Sequence, residues 1–391
     1  MTAVPDPPMR LAYLGDPNEV HTRRWLSFFV ERGHAVHLLV RHDTVLESPL
    51  PPGIVLERMD PFEIRWYRPD AYLAARRAVR RVLERIGAQV LHVHYLTGYG
   101  FWAWLSGFRP YVVTVWGSDV FRTLPTSRRH RLYGWLSLRG AAAVTADSVD
   151  LAEGAIAGGA RRERTTVVQF GVDTARFSPA PRDEALRARI GIRTPKLVFS
   201  PRIIFSWNRH EDVIRAVAEL PADVGLALSA LHADPDYLAS LVELAGTVGI
   251  ADRLTVLDGI PHAEMADHLR LADVVVSVPE TDGTPVTILE SLACGVPVVA
   301  SDVPSVREWL AEFSPELLVP IADQAATTAA IRHVLDLPEA EAAALRAAGR
   351  ALVVERGDHA THMLGVEATY RALAAAAASR KGGGRTAQAT R

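Results

Sequence analysis

Two carboxylates near the start of one apolar helix are the residues of this chain best placed to do chemistry. Asp282 and Glu290 lie in the stretch Val274–Asp302, VVVSVPETDGTPVTILESLACGVPVVASD, with seven residues between them. The stretch opens on a β-branched run, Val274–Val278, that predicts a buried parallel strand. A polar loop, Pro279–Gly283, follows it. Thr284 fits the N-cap of a helix and Pro285 its first turn. The helix is expected to end near Cys294, with Gly295 in a left-handed cap and Pro297–Ala300 as the next strand. A helix N-terminus at the carboxyl end of a strand binds anions, because unpaired N–H groups and the helix dipole converge there. Glu290 falls about two turns inside the helix among apolar residues, where a carboxylate needs donors. A vicinal diol, such as a nucleotide ribose, would supply two. This pattern suggests phosphates at the helix start, a ribose on Glu290 and a sugar near Asp282. A plain capping acid and an exposed helix residue would leave the same sequence trace.

The same stretch resembles the donor site of family-4 glycosyltransferases, retaining enzymes of the GT-B fold. Their signature is an acid, seven residues and a glutamate, then a small-residue run into a Cys-Gly-Val-Pro-Val-Val-like strand; ETDGTPVTILESLACGVPVVASD carries it. Asp282 stands where the usual first residue is Glu, which keeps the charge, shortens the reach and bears on sugar specificity. The resemblance implies an α/β protein with two Rossmann-like, doubly wound domains facing across a cleft. It implies donor phosphates on Gly283, Thr284, Pro285, Val286 and Thr287, with Asp282 and Glu290 in the catalytic site. As a sugar contact, Asp282 is expected to affect the nucleotide-sugar and to leave the free nucleotide nearly untouched.

The elements that must position these residues follow from the rest of the chain. Its 391 residues suit two domains, and 49% hydrophobic content supplies sizeable cores. A net charge of −2 gives no field that favours nucleic acid. The single cysteine, Cys294, excludes an internal disulfide and a Cys-based zinc site, and it reads as a small buried residue. The proline-rich N-terminus lacks a signal-peptide core, and no apolar run approaches the roughly 20 residues of a membrane span. A cytoplasmic location is therefore expected, with peripheral contact at the inner membrane face left open.

In the first half, Leu11–Leu14 is a strand ending at Gly15. A helix carrying Trp25, Phe28 and Phe29 follows, stopped by Gly33, and then the strand Val36–Val40. This is the start of a doubly wound sheet without the dinucleotide fingerprint, since one glycine stands in the first turn. The resemblance carries Gly15 over to the donor phosphates and, more weakly, His21. Asp70–Ile86 is an arginine-striped helix; a solvated face is the ordinary meaning, and contact with anionic lipid, as in relatives with lipid-linked acceptors, the sharper one. Val90–His94 and Tyr111–Trp116 are strands. Phe101, Trp102, Trp104 and Phe108 between them are either helix core or the lining of an acceptor pocket. Many relatives place a donor-contacting histidine where Trp116 stands. Within the Trp-Gly-Ser-Asp form, Asp119 is the expected replacement contact, and helix capping is its ordinary role. Ala142–Ala146 and Thr166–Phe170 are further strands, and FGVDTARFSP, Phe170–Pro179, resembles the turn that closes the family's first domain.

In the second half, Lys196–Ser200 starts a new sheet. The resemblance puts an arginine and then a lysine after it, both on the diphosphate. Arg202 fits the first, and Arg209 is the only cation near the second; it also reads as an exposed helix-start residue. The resemblance also places the nucleobase against backbone at such a Gly-Ile-Pro turn, which makes Ile260 the candidate for that contact. Domain bounds of 9–180, a linker at 181–195, 196–357, a helix at 358–378 crossing back to the first domain and a disordered tail at 379–391 complete the expectation.

The function implied is a metal-independent retaining hexosyltransferase of carbohydrate biosynthesis, with no cofactor. It would move a sugar from a nucleotide-sugar, UDP-linked before GDP-mannose, to a sugar, lipid-linked or small-molecule hydroxyl. Arg202 would offset the charge on the leaving diphosphate. The rival is a non-catalytic nucleotide-sugar-binding subunit, which the absent histidine and lysine favour and the Asp282–Glu290 pair disfavours.

Overall fold

The computed structural model describes residues 7–63, 68–231, 233–282 and 285–388, with side chains through residue 380. Residues up to Gln169, together with those from Ala360 on, form one compact unit, and Phe170–His359 form a second.

The first unit holds β1 (Arg10–Leu14), β2 (Ala35–Val40), β3 (Ile54–Arg58), β4 (Val90–His94), β5 (Tyr111–Thr114), β6 (Ala143–Ala146) and β7 (Thr165–Val167). They form one parallel sheet in the order β3-β2-β1-β4-β5-β6-β7. Helices cover both faces, which is why β1, β4, β5 and β6 read as nearly unbroken apolar runs. The edge strand β3 gave no such signal: its one buried residue is Glu57, which pairs with His37 at 2.9 Å and Arg85 at 2.7 Å. The arginine-striped helix Pro69–Ile86 buries Ala75, Ala78, Val79, Val82 and Leu83 and turns its arginines outward. Arg80 pairs with Glu84, Arg81 with Asp60 and Arg85 with Glu57, the arrangement of a solvated, ion-paired face.

The second unit holds β8 (Lys196–Ser200), β9 (Val224–Ser229), β10 (Leu254–Leu257), β11 (Val274–Ser277), β12 (Val298–Ser301) and β13 (Leu318–Val319). Their order is β10-β9-β8-β11-β12-β13, again all parallel. Alternate residues feed two cores: Leu197, Phe199 and Val275 pack on one face, Val198, Val274 and Val276 on the other. The turn Phe170–Pro179 belongs to this unit and not to the first. Phe177 is buried in the same core as Leu197, and Val172 bridges to Asp358.

The last helix, His359–Gln388, returns to the first unit. Tyr370 is fully buried there. Its hydroxyl meets His92 Nδ1, Trp25 Nε1 at 3.3 Å and the Tyr13 hydroxyl at 3.4 Å. Glu367 bonds Arg32, lies 3.2 Å from His34 and accepts from Arg371 at 2.6 Å. The helix runs past residue 378 into the stretch expected to be disordered. The alanine-rich run Ala374–Ala378 has the highest helix propensity available and carries the helix on.

Candidate active site

In a doubly wound sheet, ligands bind beyond the carboxyl ends of the strands where the strand order reverses. In the second unit that point lies between β8 and β11. The loops leaving these two strands carry Arg202 and Asp282, and the structure joins them. Arg202 Nη1 lies 3.0 Å from Asp282 Oδ2, and Nη2 donates to Oδ1 at 3.3 Å. The guanidinium side chain is 18% exposed and the carboxylate 8%, so this is a fork-to-fork pair largely withdrawn from water. Asn208 turns its Oδ1 toward Arg202 Nε at 3.4 Å, and the Ser305 hydroxyl donates to the Asp282 carbonyl at 3.0 Å.

The helix after Asp282 is Val286–Ala293, with Pro285 at the cap position instead of inside the first turn. Val286 and Thr287 form that first turn; Gly283 and Thr284 lie outside the described residues. The helix ends as expected: Cys294 follows its last residue and Gly295 adopts φ 76°. Burial pushes the Cys294 thiol up to about 12, so it is an inert core group.

Glu290 is not an exposed helix residue. Its side chain is 6% exposed, and His262 Nε2 stands 3.0 Å from Oε1. Sequence reasoning missed His262, which lies 28 residues away in sequence. The turn that bears it, starting from the buried Ile260, was legible only as a base-contact candidate.

Arg209 opens the helix His210–Ala218 in a left-handed conformation, φ 53°. Its Nε donates to Asp212 at 2.7 Å, its Nη1 to Glu280 at 3.1 Å, and Glu211 lies 4.0 Å away. The hydrogen bond to Asp212 leads the causes that raise its pKa. These acids give Arg209 the helix-start role, and a diphosphate would have to compete with them.

The first unit places its candidates differently. Gly15 ends β1 where a Cβ would come within 3.2 Å of the His94 Cβ, so glycine permits close approach to β4. His21 meets the edge of Trp116 at 6.0 Å between ring centroids. Asp119 is fully buried. Its Oδ2 accepts from Leu96 N at 2.7 Å, and its Oδ1 from Trp116 N and Val120 N at 3.0 Å each. Burial raises its pKa while these N–H groups pull the other way. Both oxygens therefore serve to clamp the loops after β4 and β5, the ordinary capping role in a stronger form. Beside those loops is a cavity of about 340 Å³ lined by Phe101, Trp102, Tyr133, Arg129 and His130, among others. Phe101 stacks on Tyr133 at 4.0 Å. Phe101 and Trp102 thus line a cavity, and Trp102, Trp104 and Phe108 also pack against the core. Among the described residues, no group of His, Cys, Asp and Glu side chains is arranged to hold a metal ion. No described helix is long and apolar enough to cross a membrane.

Comparison with known proteins bears on both units. Residues 10–148 match the family described as "Glycosyl transferase 4-like", and residues 182–351 match "Glycosyl transferases group 1". A D-inositol 3-phosphate glycosyltransferase of Catenulispora acidiphila is 34% identical over 202 residues, 48% of this chain and 47% of its own length. A GDP-mannose-dependent alpha-(1-6)-phosphatidylinositol monomannoside mannosyltransferase of Mycolicibacterium smegmatis is 32% identical over 188 residues, 46% of this chain and 49% of its own. These alignments span about half the length of each relative. Among solved structures, Anabaena HepE with UDP and glucose superposes with a TM-score of 0.76 at 19% identity, covering 93% of this chain and all of that one. Sucrose-phosphate synthase of Thermosynechococcus elongatus gives 0.77 at 20% identity, covering 94% and 100%. With a match over each unit and this fold in common, the chain belongs to the glycosyltransferases of the GT-B fold, of family-4 type.

Proposed function

We propose that the protein transfers a hexosyl group from a nucleotide-sugar to an acceptor hydroxyl, with retention at the anomeric carbon and without a metal ion. The observation that carries this reading is the Arg202–Asp282 pair beyond β8 and β11, beside the start of the helix that buries Glu290. A guanidinium and a helix N-terminus offset the charge that grows on a departing diphosphate. The bond from the anomeric carbon to the diphosphate oxygen breaks, and the acceptor oxygen bonds that carbon on the same face. The leaving phosphate oxygen takes the acceptor proton. Asp282 contacts the sugar and Glu290 the ribose.

The HepE complexes with UDP and UDP-glucose support a UDP-sugar, and the mycobacterial relative supports GDP-mannose as the competing donor. The acceptor side rests on the cavity of Phe101, Trp102 and Tyr133, whose faces suit a sugar or cyclitol ring. Arg129 adds a cation for an anionic substituent and has no carboxylate partner among the described residues.

Nucleotide release from UDP-glucose and GDP-mannose, with and without inositol phosphate or a sugar phosphate, tests the reading. One donor should turn over faster with acceptor, chelator should not slow it, and the product should keep the donor's anomeric configuration. Arg202→Ala should lower kcat more than it raises the donor KM, because the charge it meets grows in the transition state. Wild-type turnover in Arg202→Ala, or no release from any donor, would sink the proposal.

A further inference from the structure

We infer that His262 is a positioning residue for the donor ribose: it fixes the Glu290 carboxylate so that Oε2 faces the vicinal diol. The inference rests on the reading of Glu290 as the ribose acceptor given above. Glu290 lies in a helix whose neighbouring residues Ile288, Leu289, Leu292 and Ala293 are all buried. A carboxylate in such surroundings is stable only when hydrogen-bonded. His262 Nε2, 3.0 Å from Oε1, is its side-chain partner among the described residues, and Oε2 has none there. A carboxylate held at one oxygen cannot swing freely about its last torsion. The lone pairs of the other oxygen then point one way.

His262 is itself held. It starts the short turn His262–Glu264 after Pro261, and its ring lies 5.6 Å from that of Phe177. Its carbonyl accepts from the Arg176 guanidinium at 2.5 Å. Its side chain is nevertheless 42% exposed, so the pair opens to solvent on the imidazole side. Ile260, the base-contact candidate, sits in the same turn two residues earlier. The turn thus links the proposed base contact to the orientation of the ribose acceptor.

The test compares a nucleoside diphosphate with its dideoxy counterpart, which lacks both ribose hydroxyls, by calorimetry on the whole protein. UDP and GDP are each paired with their dideoxy forms, and the base that binds more tightly is used. Hydrogen bonds from two hydroxyls to a carboxylate predict that the wild type prefers the ribose form by roughly tenfold or more. His262→Leu should reduce that preference to within roughly threefold while leaving affinity for the dideoxy form unchanged. His262→Gln, whose amide can donate from near the Nε2 position, should restore most of it. A purely structural role predicts something else: both nucleotides weaken together and Gln gives no selective rescue. That result, or full preference in His262→Leu, overturns the inference. If His262→Leu fails to fold, the comparison moves to His262→Gln and His262→Asn. The longer amide should then keep the preference and the shorter lose it, and equal behaviour of the two overturns the inference. A wild type that ignores the ribose hydroxyls refutes the Glu290 reading itself, a failure visible before any His262 variant is made.

Discussion

Neutralising Asp282 should tighten the binding of the free nucleotide. Asp282 occupies both outer nitrogens of Arg202, at 3.0 and 3.3 Å. A diphosphate bound as proposed at the start of the helix Val286–Ala293 would compete with Asp282 for that guanidinium. Charge centres about 4 Å apart attract by about 4 kcal/mol at an effective dielectric of about 20, the setting that suits a pair only 18% and 8% exposed. Desolvation and the retained amide acceptor offset part of this. Asp282→Asn should therefore release about 1–2 kcal/mol to nucleotide binding, or about tenfold in Kd. Turnover should fall in the same variant, because the proposed sugar contact is lost. Calorimetric titration of UDP and GDP into wild type, Asp282→Asn, Arg202→Met and the double variant checks the argument. In the Arg202→Met background the Asp282 change should have no effect on affinity beyond about 0.3 kcal/mol. If Asp282→Asn binds nucleotide no more tightly than wild type, the pair does not compete with phosphate and the reasoning fails. The sequence alone led to the opposite expectation, that the free nucleotide would be indifferent to Asp282.

Two further outcomes follow from buried groups. Burial holds His94 at about 3 and His210 at about 4, and it lowers His92 well below the ordinary value. A histidine whose folded pKa lies below its unfolded value of about 6.5 contributes fully above that pH and loses its contribution as pH falls toward the folded pKa. At about pH 5 His94 and His210 should each cost about 2 kcal/mol relative to about pH 7.5, so denaturant midpoints unchanged between the two would refute the burial argument. Asp119→Ala should strand the N–H groups of Leu96, Trp116 and Val120 and destabilise the first unit by about 3 kcal/mol, read by thermal unfolding. An unchanged melt with lost nucleotide-sugar affinity would instead make Asp119 a donor contact.

Local features were legible in the sequence. β11, the helix after it, the Gly295 cap and β12 follow from apolar runs and cap residues, because strand and helix ends are set by nearby side chains. Both sheets were legible for the same reason, apart from the edge strand β3, whose one buried residue is Glu57, and β13, which is only two residues long. Long-range pairings were not legible. Nothing local tells that Arg202 meets Asp282, that His262 meets Glu290 or that three acids surround Arg209. Asp119 was legible as an acid at a strand end. Its clamp on two loops depends on backbone N–H groups brought together by the parallel pairing of β4 and β5.

The return of the last helix to the first unit has a consequence for the order of synthesis. Tyr13, Trp25 and His92 leave the ribosome early, but Tyr370, which meets all three, is made only after the whole second unit. A nascent first unit therefore waits with buried polar groups uncovered, His34 included, while Phe170–His359 is still being translated. N-terminal domains usually complete their folding first during translation. In this chain the second unit can be finished first, and the earliest-made part is sealed last.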